Sequence, residues 1–470
     1  MKRLSGWDAM LLYSETPNLP SHTLKIAILD DAAGHLTFES FRKIAERRIP
    51  ILTPLRYTLI KVPLQVHHPM WLQDCDVDLD YHLRRHSVPP PGGRRELDDL
   101  IGDIAVPLLD RSRPLWEIHY VDGLRGGRVA IVAKVHHSLA DGVASANLLA
   151  LALDSTKRHE GDRPNACTAP SRMELLRAAS RDHLTQARRL PALIGNTAVG
   201  IARVRRGAKE RGKHPELAQL FSAPPTMLNH RVPPDRRFAT STMALEDAKQ
   251  TSKHFGITLN DLVLALCSGA LRTLLLRLGE STHQPLIASV PVNTDPRPDR
   301  ISGNALGGLF VSLPVHVSDA VKRIELTRVA TTIAKENNVR LGPELMGRWT
   351  DYLPPPLAAA GFRRMATHFS RNRLYNVSIS NVPGPRTRGQ IAGSGLSQFY
   401  SVGPLTAGCA LNITVWSYVD QLNISVLSDG ATVKDPHEVT EAMVADFIEI
   451  RRAAGLPEAL TVVDTAMAPA

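Results

Sequence analysis

The segment VAKVHHSLADG, residues 132–142, brings two adjacent histidines and an Asp-Gly pair into one short stretch. An imidazole titrates near neutral pH and can take a proton from a hydroxyl, so His136 and His137 are candidate general bases. The apolar, β-branched run before them predicts a strand, and adjacent strand residues face opposite sides of a sheet. The two rings therefore cannot serve one reacting atom, and one of them is left for packing. Alone, a His-His pair at a strand end is more often core than catalytic. Metal chelation fits less well, because two histidine ligands need a shared face and no third ligand lies nearby. Asp141 and Gly142 read as the N-cap and first turn of the helix that follows.

Signatures of other reactions are missing. The chain has no G-x-S-x-G elbow (Gly393-Ser394-Gly395 has the wrong spacing), no Walker A motif, no G-x-G-x-x-G after a strand and no H-E-x-x-H. That removes the common hydrolase, nucleoside triphosphatase, dehydrogenase and metalloprotease readings. Cys75, Cys167, Cys267 and Cys409 are scattered without a C-x-x-C, so neither a disulfide frame nor a structural zinc is indicated, and a reducing cytoplasm fits. Trp7-Asp8 interrupts any apolar region after Lys2 and Arg3, so no secretory signal is expected. The apolar runs 143–153 and 262–271 fall short of the roughly 18–20 residues that span a bilayer. The uncharged stretch 391–419 is broken by Gly393, Gly395, Gly403, Pro404 and Gly408 and reads as loops and strands.

The elements that must position these groups divide a chain of 470 residues, which is long enough for two domains. Apolar residues at 43% and charged residues at 22% are those of a globular protein. Periodicity predicts a strand over 22–32, a helix over 37–48, a strand over 57–66, a helix over 94–108, strands over 116–121 and 129–135 across a Gly-Gly turn, and a helix over 141–153. A polar stretch over 155–170 reads as a linker. A second unit then offers helices over 245–255, 259–278, 318–338 and 437–454, with strands over 285–292, 306–317, 377–380, 411–418 and 422–427. The division expected is 1–160 and 237–460, two α/β units each with a mixed sheet and helices, joined by a basic helical connector over 161–236.

HHSLADG matches the HHxxxDG pattern of coenzyme A-dependent acyltransferases and peptide-synthetase condensation domains. Further segments resemble the bacterial wax ester synthase/acyl-CoA:diacylglycerol acyltransferase family over nearly the full length. They are DVDLDYHLRRHSVPPPGG (76–93), LLDRSRPLWEIHYVDGL (108–124), KVHHSLADGVAS (134–145), TLNDLVLALCSGALR (258–272), GNALGGLFVSLP (303–314), SNVPGP (380–385) and YSVGPLTAGCALNITVWSYVDQLNISV (400–426). The resemblance implies two chloramphenicol acetyltransferase-like domains around a tunnel. It also implies an O-acyltransferase in which acyl-CoA is a co-substrate and no cofactor or metal is needed, with diacylglycerol as acceptor and triacylglycerol as product. A long-chain alcohol as acceptor and a non-catalytic lipid- or acyl-CoA-binding relative are the alternatives.

Within that resemblance His137 is the general base, with His136 and Asp141 in the same motif and Asp141 organising the site through an ion pair. Gly142 keeps the backbone slim where pantetheine approaches, and Asn260 and Asp261 match the family's Asn-Asp pair, a helix cap being the plainer account of them. For the block 114–117 (PLWE) the simpler account is a strand with a buried Trp116. Gly303-Asn304 and 380–385 read as turns beside the site. After Val290-Pro291-Val292 many relatives carry Ser and then a basic residue, whereas this chain has Asn293, Thr294 and Asp295, which leaves Arg297 or Arg300 to supply the cation.

The formal charge is +10, and residues 171–214 alone carry 11 basic and 3 acidic side chains. That segment has no Phe, Trp or Tyr to stack on bases, so nucleic acid is not the expected partner. With Leu175, Leu176, Leu184, Leu190, Leu193, Ile194, Ile201 and Val204 among its arginines, it predicts one or two amphipathic helices broken near Pro191. Such a connector suits peripheral contact with an anionic membrane or a lipid droplet, or else packs its apolar face on the domains.

Overall fold

A computed structural model describes residues 1–153, 169–294, 299–368 and 374–463. In chain order the first half contributes β1 (Lys2–Arg3), α1 (Gly6–Ser14), β2 (His22–Asp30), α2 (Phe38–Arg48), β3 (Thr58–Ile60), β4 (Met70–Leu72), α3 (Leu79–His82), β5 (Leu83–Ser87), α4 (Arg94–Ala105), β6 (Trp116–Leu124), β7 (Arg128–His136) and α5 (Gly142–Leu153). The helix α6 (Arg172–Arg211) leads to β8 (Arg237–Ala244), α7 (Leu245–Phe255), α8 (Leu259–Arg277), β9 (Leu286–Asn293) and β10 (Leu306–Leu313). There follow α9 (Ala320–Leu341), α10 (Leu345–Thr350), α11 (Pro355–His368), β11 (Val377–Pro383), β12 (Gln390–Ile391), β13 (Ser394–Val402), β14 (Leu411–Tyr418), β15 (Gln421–Ser428) and α12 (His437–Ala453).

Two six-stranded mixed sheets organise the molecule, in the orders β12-β13-β2-β7-β6-β5 and β10-β9-β11-β14-β15-β8, beside a small sheet β1-β4-β3. The α/β class with two sheets and helices is as expected. A division at residues 160 and 237 misses one exchange, because β13 leaves the second half and pairs antiparallel with β2, Ser401 opposite Lys25. Composition carries no trace of this: β13 is as apolar as its neighbours in sequence, and only the pairing reveals its sheet.

The first sheet alternates as strand geometry demands. Leu24, Ile26 and Ile28 of β2 with Ala130 and Val132 of β7 pack under Leu97 and Ile101 of α4. Ala27, Leu29, Val129 and Ile131 face the other way, into a core shared with α2 and with Trp416 and Tyr418 of the second sheet. The β6–β7 hairpin turns through Gly126 and Gly127, both in the left-handed region at φ 76 and 69, where side chains are disfavoured.

In the second unit α8 is buried on every side from Leu262 to Leu271. By length and hydropathy alone it would pass as a membrane span, yet it is the central helix of the core formed with the second sheet, α9 and α12. Each buried leucine there contributes about 1.5–3 kcal/mol by removal from water.

Two local expectations are corrected. Only Thr58–Ile60 of the predicted strand 57–66 pairs, because Pro63 starts a short 3-10 turn in which Leu64 and Gln65 take positive φ. Pro191 does not break the basic segment, which is one helix of 40 residues. Contacts on either side hold it through the proline: Gln186 Nε2 donates to Asp351 O at 2.9 Å, Tyr352 Oη donates to Gln186 O at 2.9 Å, and Trp349 Nε1 donates to Thr197 Oγ1 at 2.9 Å.

Where β11 ends, Gly384 lies against the second sheet so closely that a Cβ would stand 2.1 Å from Trp416 Nε1 and 2.3 Å from Ser417 O. Gly384→Ala is therefore expected to destabilise the protein by about 1–3 kcal/mol, read as a lower melting temperature in calorimetry.

Candidate active site

β7 carries the histidines to the end of its strand, and neighbouring backbone fixes both. His136 N–H donates to Leu115 O at 2.9 Å and His137 N–H to Ser21 O at 2.8 Å. The chain then turns, Leu139 N–H reaching back to His136 O at 2.9 Å. Asp141 opens α5 as its cap, accepting Ala144 N–H on Oδ1 at 3.0 Å.

The two rings have different surroundings, as strand alternation requires. His136 is fully buried; its Nδ1 accepts from Ser138 N–H at 3.1 Å, and its Nε2 stands 3.4 Å from Glu15 Oε1. Burial alone would raise the Glu15 carboxyl, but His136, Arg111 at 2.8 Å and the Ser21 N–H outweigh it and hold it at about 2. Glu15 thus grips His136 directly and His137 through Ser21, whose carbonyl receives the His137 N–H.

His137 is only partly covered and has no carboxylate partner within ion-pair distance among the described residues. Burial pulls its pKa below the ordinary 6.5, the nearby Lys25 ammonium adds to this, and contact with its own carbonyl and the charge of Asp141 oppose it. The ring is therefore neutral at pH 7. Its Nδ1 is buried without a hydrogen-bond partner of good geometry. A proton on Nδ1, toward the backbone, leaves Nε2 as the basic atom.

Residues 300–305, which lead into β10 of the second sheet, clasp the motif. Arg300 Nη2 lies 2.5 Å from Asp141 Oδ2, with the two side chains 9% and 0% exposed. Ala305 N–H donates to the same oxygen at 3.0 Å, and Gly303 N–H donates to Leu139 O at 2.6 Å. Asn304 Nδ2 donates to His137 O at 2.7 Å and to Asp8 Oδ1 at 2.7 Å. Asp8 is buried, which raises its carboxyl to about 6 against the bonds from Asn304 and Ser5. The cation sought after Val292 is therefore Arg300; Arg297 lies outside the described residues.

Other expected residues stand apart from this cluster. Asp261 completes a capping box, accepting from Thr258 N–H at 3.0 Å and Thr258 Oγ1 at 2.7 Å, and ties α8 to α9 by accepting from Thr331 Oγ1 at 2.6 Å. Asn260 sits beside it in the first turn of α8. Gly142 faces Val382 of β11, whose Cγ2 would be 3.0 Å from an added Cβ, so a side chain here would crowd the second sheet. Trp116 is core: Nε1 donates to Leu55 O at 2.7 Å and its ring stacks on His82. Glu117 is committed to Lys134 at 3.7 Å, Arg84 at 3.3 Å and His119 at 3.5 Å. Glu15, Ser21, Lys25 and Asp8 carried no sequence signal, being single residues far from the motif in the chain. Among the described residues no cluster of His, Cys, Asp and Glu could hold a metal.

The wax ester synthase/diacylglycerol acyltransferase catalytic domain model matches residues 4–263, and the C-terminal domain model of the same family matches 302–451. The chain belongs to this family. A Mycobacterium tuberculosis protein provisionally named diacylglycerol O-acyltransferase Rv0221 is 53% identical over 472 residues, covering 100% of both chains. Another from that organism, provisionally named likewise (Rv1760), is 34% identical, covering 91% of this chain and 86% of its own length. Among solved structures, the wax ester synthase/diacylglycerol acyltransferase from Marinobacter aquaeolei VT8 aligns with a TM-score of 0.69 at 26% identity, covering 97% of this chain and 100% of that one. The first condensation domain of the calcium-dependent antibiotic synthetase, at 15% identity and a TM-score of 0.55, shares the fold. The protein is thus an acyl-CoA-dependent acyltransferase of this family.

The buried Asp141–Arg300 pair yields a stability test. Arg300→Met strands the Asp141 carboxylate and is expected to cost about 3–5 kcal/mol, while Asp141→Asn with Arg300→Met recovers part of that loss. Chemical denaturation of the two single variants and the double variant gives the coupling.

Proposed function

We propose that the protein transfers a long-chain acyl group from acyl-CoA to the hydroxyl of diacylglycerol, forming triacylglycerol, with His137 as general base. The observation that carries the reading is a neutral imidazole at the end of β7, backed by Asp141, Arg300 and Asn304 and left without a carboxylate of its own among the described residues. His137 Nε2 takes the proton of the acceptor hydroxyl as its oxygen attacks the thioester carbon. The tetrahedral species then breaks its C–S bond, and the imidazolium returns the proton to the departing CoA sulfur. No covalent enzyme intermediate is required, in keeping with the missing nucleophile elbow.

The acceptor assignment draws on the 53% identity to the provisionally named diacylglycerol acyltransferase. Wax ester synthesis from a long-chain alcohol is the second reading, favoured by the similarity to the Marinobacter enzyme, whose name includes that activity. The non-catalytic reading drew on Asn293 to Asp295, and it is weakened by Arg300, which supplies a cation to Asp141.

Release of free CoA thiol from palmitoyl-CoA, measured with diacylglycerol and separately with hexadecanol, tests this reading. Diacylglycerol should give the higher rate, and His137→Ala should lower it by about 10²–10⁴-fold. Thiol release that survives His137→Ala would reject the mechanism. Because the neutral imidazole is the active form, the rate should fall as pH drops through a pKa below 6.5.

A lipid acceptor is met at an interface, and α6 offers a surface for it. Its docked side buries Leu175, Ala179, Leu193, Gly200 and Gly207, while Met173, Leu184, Ile194 and Val199 are about half exposed among Arg177, Arg181, Arg188, Arg203, Arg205 and Arg206. Apolar and cationic groups together suit an anionic lipid surface in peripheral contact. Reversal of Arg203, Arg205 and Arg206 to Glu should abolish sedimentation with phosphatidylglycerol vesicles; unchanged binding would sink the idea.

A further inference from the structure

Lys25 takes no direct part in the proton transfer described above. Lys25 lies in the middle of β2, opposite Ala133 of β7 and Ser401 of β13. Its neighbours Leu24 and Ile26 point to the α4 side, so Lys25 points with Ala27 and Leu29 toward the face where Trp416 of the second sheet packs. Nζ donates to Ser401 Oγ at 2.6 Å and stands 5.1 Å from the centre of the Trp416 ring. Among the described residues it has no carboxylate partner, and burial draws the amine down to about 8 with only the charge of Asp141 opposing. An ammonium has three donors and Ser401 takes one. A part-buried cation with donors to spare, on the face that carries His137, is suited to meet an oxygen from outside the protein.

The spacing says which oxygen. His137 follows Ala133 by four positions, so the Cα atoms of Lys25 and His137 lie roughly 13 Å apart along the sheet. While Nζ rests on Ser401 it leans toward β13, away from the strand that leads to His137. It meets a substrate atom several bonds from the reacting hydroxyl. Diacylglycerol carries ester carbonyls at that remove, and a fatty alcohol has none. The pantetheine amides of acyl-CoA are the other carbonyls in reach.

We propose that Lys25, held by Ser401 between the two sheets, binds an ester carbonyl oxygen of the acceptor and so selects diacylglycerol over a simple long-chain alcohol. This rests on the acceptor reading above. Lys25→Met keeps the apolar stem and removes the donors; Ser401→Ala frees the amine from its seat. Steady-state thiol release with palmitoyl-CoA is measured for both variants against diacylglycerol and hexadecanol, each acceptor and palmitoyl-CoA being varied in turn. At pH 7.5, above the ordinary imidazole range so that a changed His137 environment weighs equally on both acceptors, Lys25→Met should raise KM for diacylglycerol and lower its kcat/KM by about tenfold or more relative to hexadecanol, leaving the KM for palmitoyl-CoA unchanged. Ser401→Ala should shift the acceptor ratio in the same direction by less. An equal loss with both acceptors, no change, or a raised KM for palmitoyl-CoA alone overturns the assignment, the last transferring Lys25 to pantetheine. A wild type that acylates hexadecanol alone defeats the diacylglycerol reading first, before any variant is compared, and this assignment with it.

Discussion

The ion pair between Asp141 and Arg300 is the contact on which the site depends. Asp141 is at once the cap of α5, the receiver of the Ala305 N–H and the partner of Arg300, with its side chain out of water. Two buried opposite charges hold together only while both are present, since either one alone is stranded in a medium that solvates it poorly. The pair therefore ties the turn after β7 to residues 300–305 ahead of β10. His137 is clamped on both sides, by Ser21 through its N–H and by Asn304 through its carbonyl. Both clamps come from segments remote in sequence.

The division of labour between the adjacent histidines follows from the same construction. His136 faces inward, where Glu15 and Ser138 occupy its nitrogens, and Glu15 is in turn secured by Arg111. His137 is only partly covered and has no carboxylate within ion-pair distance among the described residues, which is what the proposed role of base asks of it. For the proposed base, burial and the charge of Lys25 hold the ring's pKa below 6.5 without a carboxylate pressed against it.

Much of this was legible in the sequence because it is local. The apolar, β-branched runs of β2 and β7, the glycine turn between β6 and β7, the cap at Asp141 and the mostly apolar α8 follow from neighbouring residues, and the structure contains them. The ordered motifs carried the family, and HHSLADG points to the proposed base. What was not legible is long-range. Asp8, Glu15, Ser21 and Lys25 are ordinary residues whose meaning comes from what lies across a sheet. The closeness of Gly142 to Val382 of β11 is likewise set by the tertiary fold. Pro191 was read by local rule as a break, and tertiary hydrogen bonds on both flanks overrode it. Arg300 was one of two candidates until its contact with Asp141 separated it.

The seat of β13 in the first sheet bears on how the polypeptide acquires its shape during synthesis. Lys25 and Ser401 are neighbours across a strand pair although 376 positions separate them. Until the ribosome has delivered residues beyond 402, β2 has β7 on one side and a bare edge on the other, and bare edges invite pairing with foreign strands. The half that carries the histidines thus emerges first and is completed last. Chain closure of this length is slow, so the nascent first unit must wait, exposed, for a strand encoded near the opposite end of the message.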